Sequence, residues 1–123
     1  MIQVWDISGV REGAVPKQIA KQVSDFNILA LKFSIYDNNK LASCGKENIR
    51  FWRIKNPSKY LQGSAVVLDH HARDTVFTDL DFEGSFSSSD PEENEALQKL
   101  YVSSKTGMVF QINYHTQKLE AFF

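Results

Sequence analysis

The stretch Leu41-Ala42-Ser43-Cys44-Gly45-Lys46-Glu47-Asn48-Ile49-Arg50-Phe51-Trp52-Arg53-Ile54 decides the fold. A short run of small and apolar residues meets a Gly-containing polar turn. A second run follows in which apolar and polar side chains alternate. Alternation is the strand period, so the stretch reads as two strands joined by a tight turn. The second run has a counterpart 47 residues earlier, where Ile2-Gln3-Val4-Trp5-Asp6-Ile7 matches Ile49–Ile54 position by position. A third unit has Leu100-Tyr101-Val102-Ser103-Ser104-Lys105 and then Gly107-Met108-Val109-Phe110-Gln111-Ile112. Phe110 aligns with Phe51 at a distance of 59 residues, which puts Gln111 at the position of Trp52. Removing a polar insertion of about 14 residues brings that interval near 45, a repeat length typical of four-stranded units.

Outward from this core the pattern stays that of short strands. Ile19 to Val23 is a more polar run suited to an outer strand, and Ile28 to Ser34 places Leu29, Leu31 and Phe33 on one face. Tyr36-Asp37-Asn38-Asn39 is turn chemistry, because Asn and Asp tolerate left-handed backbone angles. Asn56-Pro57-Ser58 breaks the strand before it, since Pro lacks the ladder donor. Ala65 to Leu68 is a further run. Val76, Thr78, Leu80 and Phe82 share a face in the next, and Leu119 to Phe123 closes the series. The count is about ten strands and no helix beyond a turn at Ala96 to Lys99. Residues 84–98 are rich in Ser, Asp, Glu and Pro and bury too little apolar area to offset ordering entropy. They read as a flexible acidic loop inserted between two strands.

Composition limits the function classes. The 123 residues carry 14 basic and 15 acidic side chains, a formal net charge of −1. A dedicated nucleic-acid binder usually carries a basic excess, so neither nucleic acid nor a membrane is an expected partner. One cysteine, Cys44, allows no internal disulfide and suggests a reducing compartment. The N-terminus lacks the basic and apolar regions of a signal peptide, and no apolar run approaches the roughly 20 residues that span a bilayer. The chain reads as soluble and intracellular.

These repeats resemble the WD-repeat β-propeller family. Trp5-Asp6 matches the dipeptide that ends a blade's third strand, and Ser43 with Trp52 matches two members of the hydrogen-bonded network of such blades. The resemblance implies an all-β chain of about two and a half four-stranded antiparallel blades. Residues 1–24 would end a first blade, 25–69 form a second, and 70–123 form a third with the acidic loop 84–98. A closed propeller needs about 4–8 blades, so the remaining blades would come from a longer chain or a partner. Departures from the family pattern are clear: Lys46-Glu47-Asn48 occupies the turn, no His stands near Asp25, and Gln111 replaces the third Trp. Such blades would rely on apolar packing more than on the network.

A narrower resemblance rests on Leu41 to Arg53, on Phe77-Thr78-Asp79-Leu80-Asp81-Phe82 and on Leu100 to Gly107. These stretches are similar to the large centriolar and ciliary WD-repeat proteins of the WD repeat-containing protein 90 type, and in places to echinoderm-microtubule-associated-like proteins. The resemblance implies a non-catalytic scaffold for protein–protein interaction in a centriole, basal body or cilium of the cytoskeleton. Tubulin or microtubule-associated proteins would be its partners. The rival is a soluble substrate-recruiting adaptor such as a ubiquitin-ligase receptor.

Catalytic readings find little support. His70-His71 with Asp69 and Asp74 suggests a metal or acid–base cluster, but adjacent strand residues point to opposite faces and a better third ligand is needed. Cys44 has no local activating group, and His115 or His70 as a partner is arbitrary, so it reads as a small buried hydrophobe. Neither a phosphate loop nor a nucleophile elbow occurs. No enzyme, cofactor or metal is expected. Lys40, Lys46, Arg50, Arg53, Lys55 and Lys59 give the second unit a basic bias, and Lys46, Arg50 and Lys55 are the candidate contacts to an acidic partner. Ser89, followed three residues later by Glu92, is a candidate phosphosite for an acidophilic kinase.

Overall fold

A computed structural model describes residues 1–23, 27–55, 59–84 and 90–123. Ten strands form in chain order: β1 (Ile2–Asp6), β2 (Lys17–Gln22), β3 (Ala30–Phe33), β4 (Lys40–Gly45), β5 (Asn48–Lys55), β6 (Tyr60–Ala65), β7 (Phe77–Phe82), β8 (Lys99–Ser104), β9 (Val109–Asn113) and β10 (Leu119–Phe122). β3 to β6 make one antiparallel four-stranded meander and β7 to β10 make another. β1 and β2 pair antiparallel as the outer half of a third unit. This is a partial β-propeller: two complete blades and the outer two strands of a blade before them. The outer strands of successive blades meet parallel at single points, Lys21 with Tyr60 and Val67 with Lys118.

Alternation along β5 assigns its two faces. Trp52 and Ile54 join Leu41, Leu61, Ile2, Val4 and Ala20 in the core between the first and second blades. Ile49 and Phe51 join Ala42, Cys44, Phe77, Leu80, Leu100, Val102, Phe110 and Tyr114 in the core between the second and third. A strand buried on both faces needs near-continuous apolar character. Ile49-Arg50-Phe51-Trp52-Arg53-Ile54 has that character in the middle, which is why this stretch is so legible.

Two glycines admit close approach. A side chain on Gly45 would sit 1.7 Å from the carbonyl oxygen of Asn27. Gly63 lies opposite Trp52, whose ring fills the place of a Cβ at 2.7 Å.

Four sequence expectations change. First, the strand sought at Ala65 to Leu68 is β6, Tyr60–Ala65, with Val66 and Leu68 buried just beyond it. Only Leu61 is buried within β6, so the strand shows no alternation to read. Second, a β-bulge between Phe77 and Asp79 breaks the shared face of β7. Phe77, Leu80 and Phe82 are buried and Thr78 is exposed, because the extra residue flips the alternation.

Third, residues Pro91–Leu97 of the acidic segment form a helix, α1. Asp90 caps it by accepting from the Glu92 amide at 3.0 Å, Pro91 opens it, and Glu92 and Glu93 sit at the positive end of its dipole. It buries no side chain, so local capping carries it.

Fourth, the third repeat is in register by one residue differently. Leu41 pairs with Trp52, and Leu100 pairs with Ile112. Ile112 therefore stands at the place of Trp52, and Phe110 at that of Arg50, because the β8–β9 turn is longer than the β4–β5 turn. Leu29, Leu31 and Phe33 do share a face, and all three are exposed toward the first blade. Asp25, the break at Asn56-Pro57-Ser58 and the residues 85–89 lie outside the described residues. No helix among the described residues is long and apolar enough to cross a membrane.

The Trp52–Gly63 stacking gives a test of this packing. Gly63→Ala should destabilise the fold by about 1–3 kcal/mol through overpacking, read as a lower urea midpoint with unchanged slope. An unchanged midpoint would mean that the Trp52 ring is free to move aside.

Candidate functional site

The joint between the two complete blades is closed at one rim by Tyr114, which follows β9 and is buried. Its hydroxyl donates to the Asp37 carboxylate at 2.7 Å and accepts from Ser34 Oγ at 2.8 Å. Ser34 Oγ also accepts from the Tyr36 and Asp37 amides, so the β3–β4 turn is wound around this one oxygen. Tyr36, Phe51 and Phe82 meet the Tyr114 ring edge-on at centroid distances of 4.8, 5.7 and 6.0 Å. The Lys40 ammonium lies 5.1 Å from the ring centroid, a cation–π distance. Burial pushes the Tyr114 phenol well above its ordinary pKa, so it stays a donor at any physiological pH. The Tyr36 hydroxyl reaches across to the Glu83 carbonyl of the third blade. Farther in, Lys32 and Asp81 form an exposed ion pair at 2.8 Å between β3 and β7.

The repeat residues divide by context. Trp52 Nε1 donates to Ser43 Oγ at 2.8 Å, and both are buried. Trp5 holds the equivalent position in β1, yet it is 48% exposed where Trp52 is 4% exposed. The difference lies in the neighbouring strand: β4 supplies Leu41 and Ser43 to Trp52, and β1 has β2 alone as its pairing partner. Asp6 accepts from the Ser8 amide at 2.9 Å; hydrogen bonding from Ser8, its side chain first and its amide second, holds the Asp6 carboxyl below the usual carboxylate range. Phe110 is buried in the joint, edge-on to Phe77 at 5.3 Å.

The candidate contacts to a partner do not form one patch. Lys46 is exposed in the β4–β5 turn and Lys55 ends β5, so roughly 25 Å of strand separates them. Arg50 is half-buried on the face toward the first blade, paired with Ser43 and Ala65. Lys55 shares the opposite face with Arg53. Near Lys46 the turn is clasped to the third blade, with the Glu47 amide donating to the Thr75 carbonyl and the Asp74 amide to the Glu47 carboxylate, both at 2.8 Å. Ser89 lies outside the described residues.

His70 and His71 stack on each other at 4.1 Å, and His71 stacks on Phe122 at 4.6 Å. Among the described residues no three His, Cys, Asp or Glu side chains are grouped to hold a metal ion. Cys44 is fully buried, and desolvation, reinforced by Asp79, pushes its thiol up to about 11.

The chain is 32% identical over 115 residues to WD repeat-containing protein 90 of Xenopus tropicalis, an alignment covering 93% of the chain. It is 32% identical over 114 residues to the Homo sapiens protein of the same name, and 30% identical over 138 aligned positions to Centriole proteome protein 16 of Chlamydomonas reinhardtii. These alignments cover 92% and 99% of the chain. The chain is a WD-repeat β-propeller segment. It spans 6% of the length of each of these relatives. No model of a protein family matches it, and no solved structure does. Among the described residues the Trp–Ser bond is made in the second blade, and Ile112 stands in the Trp place of the third.

Sequence reasoning missed Tyr114 and its partners. The signal was present, because Phe110, Ile112 and Tyr114 alternate on one face, but Tyr36-Asp37 registered only as turn chemistry.

Two outcomes follow. Tyr114→Phe keeps the ring and strands Asp37 and Ser34, so stability should fall by about 1–3 kcal/mol in thermal or urea unfolding. Cys44 should resist a thiol reagent at pH 8 until denaturant is added. The unfolded chain releases the thiol proton near pH 9 and the folded chain near 11, so this group's contribution to stability falls as pH rises through that window. Rapid labelling of the native protein would contradict the burial.

Proposed function

We propose that this WD-repeat segment serves a non-catalytic scaffold that binds other proteins within a centriolar or ciliary microtubule assembly. The observation that carries the reading is the alignment over nearly the whole chain with WD repeat-containing protein 90 and with a protein named for the centriole proteome. The geometry supports the binding half of it. Propeller rims hold loops on stacked blades, and a preorganised surface loses little entropy when a partner docks. Here the rims are fixed by hydrogen bonds that cross from blade to blade, at Tyr114 on one side and at Glu47 on the other. The boundaries that suit this scaffold are a first blade ending near residue 24, a second over 25–69 and a third over 70–123.

An acidic filament surface is the proposed partner of the basic side chains. Lys46 and Lys55 lie at opposite ends of β5, so a filament engages one rim and the two residues separate in effect. Lys55→Glu and Lys46→Glu, made singly in the protein that contains this chain, should differ in microtubule co-pelleting. One of them should lower the bound fraction several-fold, and equal pelleting of both variants and the wild type would remove the filament contact from the proposal.

The placement is tested in ciliated cells by imaging the tagged full-length protein with a tubulin marker, before and after detergent extraction. Signal that survives extraction on centrioles or axonemes is the expected result. A diffuse, extractable signal would replace this placement with that of a soluble substrate-recruiting adaptor.

A further inference from the structure

The second blade turns a row of polar side chains toward the third. Lys40 on β4 lies directly opposite Arg53 on β5, and Arg53 lies opposite Gln62 on β6. All three occupy the face that carries Phe51 and Ser64. Like charges directly opposite on neighbouring strands repel, and a sheet gains nothing from placing them there. One carboxylate stands near: Asp37 pairs with the Lys40 ammonium at 3.8 Å while also accepting from the Tyr114 hydroxyl at 2.7 Å, so Lys40 is partly compensated and Arg53 is the cation of the row left for an incoming anion. The Arg53 guanidinium makes no hydrogen bond or ion pair among the described residues.

The row forms one wall of a groove of about 240 Å³ between the two blades. The other wall is Gln117, in the turn between β9 and β10. Its φ of +57° lies in the left-handed region, uncommon for a residue with a side chain, and its side-chain oxygen is held by Ser64 of the second blade. The turn beneath is set by Asn113, whose side-chain oxygen accepts from the amides of His115 and Thr116 at 2.9 Å each. The Lys40 ammonium, the Arg53 guanidinium fork and the Gln62 and Gln117 amide groups thus converge on a cleft lined by residues from both blades. The groove is smaller than a pocket for a drug-sized molecule and suits one or two side chains of an extended segment.

We infer that this groove binds a carboxylate side chain of an acidic peptide segment on a partner protein, with Arg53 holding it by its fork and Lys40 as the second cation. The inference deepens the scaffold reading and rests on its protein-binding half, naming where and by what chemistry a partner is held. A planar carboxylate matches the guanidinium geometry, and its charge relieves the repulsion across the Lys40–Arg53 pair. Lys55, two residues beyond Arg53 on the same face, extends the positive field toward the rim.

The test uses the purified protein that contains this chain and fluorescein-labelled hexaglutamate, with hexaglutamine as the uncharged control, followed by anisotropy at low salt. Hexaglutamate should bind and hexaglutamine should not, and binding should weaken as salt screens the charges. R53Q should weaken it by about tenfold, as loss of a charge-assisted fork implies, and K40Q by less. R53K should fall between, because it keeps the charge and loses the fork. K105Q, in the exposed turn between β8 and β9 and outside the groove, should bind as the wild type does.

If R53Q melts early, Gln62→Glu on the exposed end of the row is the second variant, and its added carboxylate should abolish binding. Equal affinity in wild type and R53Q, equal loss in K105Q, or no binding of hexaglutamate by the wild type would each overturn the groove. These results are independent of localisation. A diffuse signal in cells with intact hexaglutamate binding would fail the centriolar placement and keep the groove.

Discussion

The arrangement of the second and third blades hangs on the burial of one phenol. A Tyr hydroxyl taken out of water costs stability unless it finds partners, and Tyr114 finds both a carboxylate and a hydroxyl on the neighbouring blade. Those partners sit on the β3–β4 turn, so satisfying the phenol also fixes that turn, and through it the position of Lys40 at the head of β4. Around this polar point the contacts are apolar: Phe51, Phe77, Phe82 and Phe110 with the aliphatic residues of β4, β5, β8 and β9. The oily part of the joint is non-directional and would tolerate sliding. The hydrogen bonds at its rim select one setting.

Much of the fold was legible because one strand is buried on both sides. Ile49 to Ile54 shows it, and its copy at Ile2 to Ile7 shows the repeat. The outer strand β6 was not legible, since a strand with one buried residue has no period. The bulge in β7 and the extra residues in the β8–β9 turn defeat reading by spacing alone. Each shifts alternation by one and leaves no mark in composition. The helix Pro91–Leu97 was hidden for the opposite reason. Its Asp90-Pro91-Glu92-Glu93 start carries the signals of a capped helix, yet a polar segment that buries nothing reads first as loop.

The candidate site was legible in its ingredients and not in its assembly. Sequence shows that the second blade is basic. It does not show that Lys46 and Lys55 part to opposite rims, or that Lys40 and Arg53, thirteen positions apart in sequence, face each other across two strands. That pairing is set by the length of the β4–β5 turn, in which Glu47 takes a φ of +58°. Gln117 was beyond reach, because its place in the groove depends on how one blade leans on the next. The Ser43–Trp52 bond was legible through its match to a known repeat, and the place of Ile112 at the corresponding position of the third blade followed from the register that the strands set.

The blades are joined unequally from axis to periphery. Near the axis, β3 and β4 pack on β7 with aromatic residues and a pair of tyrosines. At the periphery, the outer strands of neighbouring blades touch at one point each, Lys21 with Tyr60 and Val67 with Lys118. Such a joint behaves like the spine of a book. A load drawing the outer edges apart is resisted by that bridge and by one or two hydrogen bonds such as Ser64 to Gln117, while the same load near the axis must tear open the core. Under tension, this segment would splay at its circumference first and recoil about its spine, a compliance built from pairing geometry.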